Sequence, residues 1–237
     1  MNKKDFKKIE SDYRKVKKEF AHEDTRTLVT RIAEEIKEYP IFKDVFNFLT
    51  DSFQGKLRYD NITPLVFHSI YITKLLYLCG EKNLDALLTA SLHDVLEDTN
   101  VNQEEIKRRF LKNREYIIDY LKLLKEDKSL SREPNGKNLP LRYKEHIRKL
   151  IGAPKEVINV EITDRFCDLM DLEYITKLPD KERELRLKGK SIKVRSFIEN
   201  ITMDRKDMNK NCLSLFNYKL KQFEDKWRIE GKTEIIS

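Results

Sequence analysis

Between Thr63 and Gly80 the chain reads TPLVFHSIYITKLLYLCG, an almost uninterrupted apolar stretch. Thr63 is placed to act as N-cap, Pro64 to occupy the first helical position, and Gly80 to close the helix. A helix that is apolar all round has no face to give to water, so other elements must cover it on every side. The next segment, from about Leu84, is nearly as apolar, with Ala86, Leu87, Leu88, Ala90, Leu92, Val95 and Leu96. Two consecutive buried helices therefore fix the centre of the fold, and the rest of the chain has to enclose them.

The enclosing material reads as helix too. Six glycines and six prolines in 237 residues are too few to punctuate a sandwich or barrel, which leaves an all-α bundle. Residues 3 to 20 carry Phe6, Ile9, Tyr13, Val16 and Phe20 at spacings of three and four, an apolar stripe on a basic helix. Its partner is either the chain's own core or another molecule, and the core is the simpler choice because the stripe is short for a coiled coil. DTRTLVTRIAEEIKEY forms a second helix that stops before Pro40, and IFKDVFNFLTDSF forms a third before Gly55. Asn102 and Glu105 make a capping-box pattern, with Val101 and Ile106 as a staple, so another helix starts at QEEIKRRFLKN.

Residues 127 to 140 are rich in Ser, Pro, Gly, Asn and charge and read as a loop within a domain. Helices resume in LRYKEHIRKLIG and PKEVINVEITDRFCDLMDL, followed by a polar helix from about Asp180 and an amphipathic one ending near Trp227. EVINVEI is rich in β-branched residues, but a lone strand would lack a pairing partner. The expected organisation is an N-terminal helical extension over 1–40, a core over 41–203, and a C-terminal helix over 204–237 packed on that core.

Cys79, Cys167 and Cys212 are odd in number and widely spaced, which suggests neither a disulfide framework nor a zinc ribbon. No apolar run is long enough for a membrane span, and the basic N-terminus lacks a signal-peptide core, so no membrane partner is expected and a cytoplasmic location is the simplest reading. The net charge of +7 can attract polyphosphates, membrane surfaces or nucleic acid, but basic helices are more often simply solvated, and nucleic acid is the lesser reading.

SLHDVLEDT, Ser91 to Thr99, follows the second buried helix directly and carries His93, Asp94, Glu97 and Asp98. If the helix continues unbroken, His93 faces Glu97, and Asp94 faces both Glu97 and Asp98. Ala86 and Ala90 leave room behind His93. Ionised carboxylates on a buried helix are costly unless they are paired or bind a metal. The preceding helix offers His68, which is either a satisfied core histidine or a ligand. A third contribution comes from EITDRFCDLMDL, where Asp164, Asp168 and Asp171 line one face; such a stripe is commonly solvated, yet the apolar residues around it would turn Asp164 inward. His68, His93, Asp94 and Asp164 form a mixed N/O set suited to Mn, Fe or Zn, and Glu97 and Asp98 stand where they could orient water and move protons.

A histidine, then HD in the following helix, then an Asp in TDR resembles the HD superfamily of metal-dependent phosphohydrolases. DALLTASLHDVLEDTNVNQEEI resembles more specifically the hydrolase domain of the RelA/SpoT stringent-response enzymes, which remove the 3′-pyrophosphate from guanosine tetra- and pentaphosphate. The likeness runs over roughly 55–197, with 127–140 as a variable part. It implies that His68, His93, Asp94 and Asp164 hold a metal, usually Mn2+, although another divalent transition metal stays open, and that Glu97 and Asp98 serve the attacking water. It also implies nucleotide contact by Arg58, with Lys56 beside it. Two positions depart from the family pattern: Ser69 replaces the usual Pro after the first histidine, and Asp168 replaces the Asn that helps hold the nucleotide.

Three functions follow as expectations: a metal-dependent 3′-pyrophosphohydrolase acting on (p)ppGpp-like guanosine polyphosphates, an HD nucleotidase or phosphatase acting on another nucleotide, or a non-catalytic binding protein that keeps the fold. No segment suggests a synthetase or regulatory domain, so a small hydrolase-only protein is expected. A homo-oligomer stays open.

Overall fold

The computed structural model describes residues 1–58, 60–127, 129–130, 141–173, 187, 189, 193–202 and 205–227. Most of the loop expected at 127–140, the start of the helix expected near Asp180 and the last ten residues lie outside the described residues. Within them the fold is all-α, as expected, and the only β pairing is a single bridge between Leu57 and Pro64. None of the described helices is long and apolar enough to cross a membrane. The chain divides into two compact units, Met1–Lys122 and Leu123–Ser237.

The first unit holds α1 (Lys3–His22), α2 (Thr25–Glu35), α3 (Ile41–Ser52), α4 (Val66–Leu78), α5 (Leu84–Leu92), α6 (Val95–Asp98) and α7 (Gln103–Phe110), with α8 (Ile117–Leu124) at its boundary. Asn2 caps α1 by accepting from the Lys4 and Asp5 amides, while the Asp5 carboxylate accepts from the Asn2 amide. The α1 stripe docks onto the chain's own core. Tyr13 meets Phe67 and Tyr71 edge-on at 5.3 and 4.8 Å between ring centroids, and Phe20 packs on Phe67 at 5.5 Å.

The α4 helix is buried along almost its whole length and is contacted by α1, α2, α3 and α5. Its buried Lys74 is met by Asp12 of α1 at 3.0 Å and Glu35 of α2 at 2.9 Å, and Tyr71 donates to Asp12. A buried ammonium without such partners would be strongly destabilising. At its C-terminus Gly80 is left-handed (φ 89°), its amide bonds the Tyr77 carbonyl, and the Glu81 amide reaches back to Leu76, a Schellman closure. The start of α4 differs from expectation. The helix begins at Val66, and Thr63 is not its cap: the Thr63 hydroxyl and amide both donate to Asp60, whose carboxylate organises the preceding loop.

The second unit holds α9 (Leu141–Leu150), α10 (Lys155–Asp171), a π-helical turn at Ile198–Thr202 and α11 (Lys210–Trp227). EVINVEI is helical, as expected, and lies within α10, which is buried along nearly its whole length. The α11 helix packs along it, burying Cys212, Leu215, Phe216, Leu220 and Phe223, and the Asn159 side chain on α10 accepts from the Asn209 amide.

Because Phe20 is fully enclosed, F20A should lower unfolding free energy by about 3–5 kcal/mol, whereas K7A on the exposed face should change it by less than about 0.5 kcal/mol. Denaturant midpoints at constant m-value would measure both.

Candidate metal centre

Helices α4 and α5 are joined by a short connection and lie side by side, antiparallel. The two are linked where Thr73 and Ser91 share a hydrogen bond of 3.0 Å. Each of these hydroxyls also bonds a carbonyl on its own helix, that of Ser69 and Leu87 respectively, so the buried oxygens are satisfied. This pairing sets His68, near the start of α4, opposite His93, just beyond the end of α5.

The helix expected to run through SLHDVLEDT is divided. Helix α5 ends at Leu92, His93 and Asp94 form a turn, and α6 starts again at Val95. The Asp94 carbonyl accepts from both the Glu97 and Asp98 amides, so the acidic pair sits on a fresh turn hung from Asp94. His93 and Asp94 turn toward His68, and Glu97 and Asp98 follow as a separate, half-buried turn.

His68, His93 and Asp94 each offer an atom within 4.8 Å of the others. Asp94 lies between the imidazoles, one oxygen 3.1 Å from His93 Nε2 and the other 3.7 Å from His68 Nε2, with the rings 5.4 Å apart. Both histidines are buried, while the Asp94 side chain is 22% exposed, which leaves the point open to solvent on one side. His93 Nδ1 is 2.8 Å from the Ala90 carbonyl. A carbonyl only accepts, so Nδ1 carries the proton, and in the neutral ring Nε2 presents a lone pair. Lone pairs of Nε2 and of a carboxylate oxygen then face each other, an arrangement that requires a proton or a cation between them. The donor set, two nitrogens and a carboxylate with the ring tautomer fixed from behind, fits a divalent transition metal.

Lys56 and Arg58 stand on the loop before α4. Its two limbs are tied by the Leu57–Pro64 bridge, by the Arg58 amide to the Thr63 carbonyl, and by the Leu65 amide to the Lys56 carbonyl. Lys56 is exposed and its ammonium donates to the Asp98 carbonyl, joining this loop to α6. Arg58 is buried.

Asp164 and Asp168 belong to the second unit, on α10. Both are buried and both are held by Arg165, at 2.6 and 2.7 Å, and Arg165 also bonds Glu161 at 2.7 Å. His146 of α9 reaches Glu161 at 3.2 Å. Burial pulls the Arg165 pKa down, but Asp164, Glu161 and Asp168 more than offset it, and the charge is permanent. Burial pushes the Glu161 carboxyl up, yet Arg165 and His146 hold it well below its ordinary 4.5. Asp164 and Asp168 are thus not solvated; they are built around a guanidinium. Sequence reasoning missed Arg165, Glu161 and His146 in this role. The signal was present, because Glu161 and Asp168 stand four residues before and three after Arg165, on its own helical face.

No protein-family model matches the chain. A curated relative, the GTP pyrophosphokinase of Myxococcus xanthus, is 26% identical over 166 residues, which cover 68% of this chain and 20% of that protein. The chain thus spans about a fifth of the length of the curated relative it matches. Among solved structures, a metazoan ortholog of SpoT that hydrolyses ppGpp and plays a role in starvation responses superposes with a TM-score of 0.60 at 19% identity, over 78% of this chain and 93% of that one. The two share a fold. The resemblance read from HD, ED and TDR and the likeness in structure agree on the architecture.

A divalent transition metal (Mn, Fe or Zn) titrated into chelator-treated protein should bind, and H93A or D94A should weaken binding by at least about a hundredfold, as expected for loss of a direct ligand rather than of an outer-shell partner. Absence of binding in the wild type would mean that a proton, not a metal, bridges His93 and Asp94. In the second unit, the depressed Glu161 carboxyl contributes stability that is full above about pH 4.5 and is lost as pH falls toward its folded value. E161Q should therefore flatten the acid limb of a stability-against-pH curve followed by circular dichroism.

Proposed function

We propose that the protein is a divalent-metal-dependent hydrolase that removes the 3′-pyrophosphate from a guanosine polyphosphate such as ppGpp. The observation that carries this reading is the convergence of His68, His93 and Asp94 on one point, followed at once by the acidic pair Glu97 and Asp98, in a fold shared with a protein that hydrolyses ppGpp. In this reading manganese is the ion, and the protein works in the cytoplasm as part of a stringent-type response.

A divalent ion held by His68, His93 and Asp94 would supply Lewis acidity toward a phosphoryl oxygen and acidify water near neutral pH. The chain's own groups do the rest. Glu97 accepts a proton from the attacking water as its oxygen bonds to the 3′ phosphorus. Asp98 supports proton delivery to ribose O3′ as the bond between that oxygen and phosphorus breaks, which releases pyrophosphate. Lys56 and Arg58 set fixed positive charge against the phosphates. The carboxylate at Asp168 would repel a polyanion if it were bare, but Arg165 already balances it, and it keeps the capacity to accept from a ribose hydroxyl.

Asp168 is also the feature that favours a second reading, a phosphatase of another nucleotide, because it stands where relatives acting on guanosine polyphosphates usually carry Asn. The two readings differ in product. Manganese-loaded protein should release pyrophosphate, not orthophosphate, from ppGpp, and E97Q should lower kcat by about 10²–10⁴-fold with metal content unchanged. Orthophosphate release from a different nucleotide, with ppGpp inert, would establish the second reading instead.

A further inference from the structure

The Asp60 carboxylate is the hub of the loop that carries Lys56 and Arg58. One oxygen accepts from the Ile62 and Thr63 amides at 3.1 and 2.9 Å, and the other accepts from the Thr63 hydroxyl at 2.8 Å. These bonds turn the chain through Asn61, which is left-handed at φ 57°. They place the Thr63 carbonyl to accept from the Arg58 amide at 2.8 Å, so the position of Arg58 follows from that of Asp60.

Asp60 is in turn held from outside the loop. Lys17 of α1 brings its ammonium to 3.3 Å from Asp60 Oδ2, with the lysine side chain 5% exposed and the aspartate 13%. Burial pushes the Asp60 carboxyl up, but the bonds from Thr63 and Ile62 and the Lys17 charge leave it below its ordinary value. Lys17 lies at the border of the α1 stripe, next to Val16, and the aromatic contacts that dock α1 on α4 are made by Tyr13 and Phe20. The helix therefore has its own means of attachment, and the lysine reaches past it to the loop.

We infer that Lys17 is a positioning residue for substrate: through Asp60 it anchors the 55–65 loop and thereby fixes Lys56 and Arg58 where the phosphates bind. The inference rests on the proposed reading of Lys56 and Arg58 as phosphate-binding groups. It assigns a task to the basic N-terminal helix, namely to brace the substrate loop. A flexible loop would have to be ordered at the moment of binding, at a cost to affinity; an anchored one is ordered beforehand. Metal binding does not depend on the anchor, because His68 is fixed by the packing of α4.

The test uses the full-length protein and two readouts. K17M keeps the aliphatic stem and removes the charge. Amide exchange at Arg58, Ile62, Thr63 and Leu65 should rise in K17M while that of the α4 interior stays as in the wild type. The KM for ppGpp should rise about tenfold with kcat within about twofold, the scale of one charge-assisted contact. K17R should restore both values, and D60N should reproduce K17M without adding to it in the double variant. Unchanged loop exchange in both K17M and D60N would overturn the anchor. A joint fall in kcat, metal affinity and α4 protection, unrescued by K17R, would overturn it in favour of a purely structural role. The exchange measurement needs no substrate, so a wild-type protein inert toward ppGpp would refute the proposed function while the loop amides still decide the anchor.

Discussion

The constraint on which the first unit depends is that α4 has no face for water. Once its residues are committed to a core, α1, α2, α3 and α5 are recruited to cover it, and the two basic side chains it carries inward must be answered by those neighbours. Lys74 is answered by carboxylates from α1 and α2. His68 is answered by Asp94 and lies against His93, beyond the end of α5. One replies to charge with opposite charge; the other gathers lone pairs around a point. The first arrangement is complete in itself, and the second is complete only with a cation or a proton.

The same contrast runs through both units. Asp60 is matched to Lys17, Glu126 to Arg142 and Lys193, and Glu161, Asp164 and Asp168 to Arg165. Buried and half-buried acids with assigned basic partners are structural elements that specify where helices and loops lie, whatever else they do. The Glu126 carboxyl is pushed up by burial and drawn down further by Lys193 and Arg165, so it stays ionised. In the Asp94 cluster the carboxylate meets two imidazoles, at 3.1 and 3.7 Å.

Much of this was legible in the chain. The α1 stripe, the burial of α4 and α5, the Gly80 stop and the helical state of EVINVEI follow from periodicity and from the rarity of turn residues. The set His68, His93, Asp94 and Asp164 follows from the cost of burying polar groups together with the resemblance to the HD superfamily, and the first three of them meet at one point. What local pattern could not supply was the break after Leu92. Nothing in LTASLHDVLED interrupts a helix by propensity, and the division is imposed where the chain leaves α5. Thr63 was misjudged for a related reason: a hydroxyl before a proline looks like a cap, but Asp60, three residues earlier, claims it first. Arg165 was overlooked because aspartates at helical spacing drew attention to themselves rather than to the cation among them.

The Schellman closure at Gly80 has a geometric corollary. The two imidazoles are far apart along the chain yet adjacent in space, and the tight reversal between α4 and α5 makes them so. Each helical residue advances about 1.5 Å and turns about 100°. One residue more or fewer between Gly80 and Asn83 would slide α5 along α4 and rotate it, carrying His93 away from His68 while leaving every helix intact. The connection serves as a ruler: its length, as much as the identity of the side chains, decides whether the two imidazoles and Asp94 meet at one point at all.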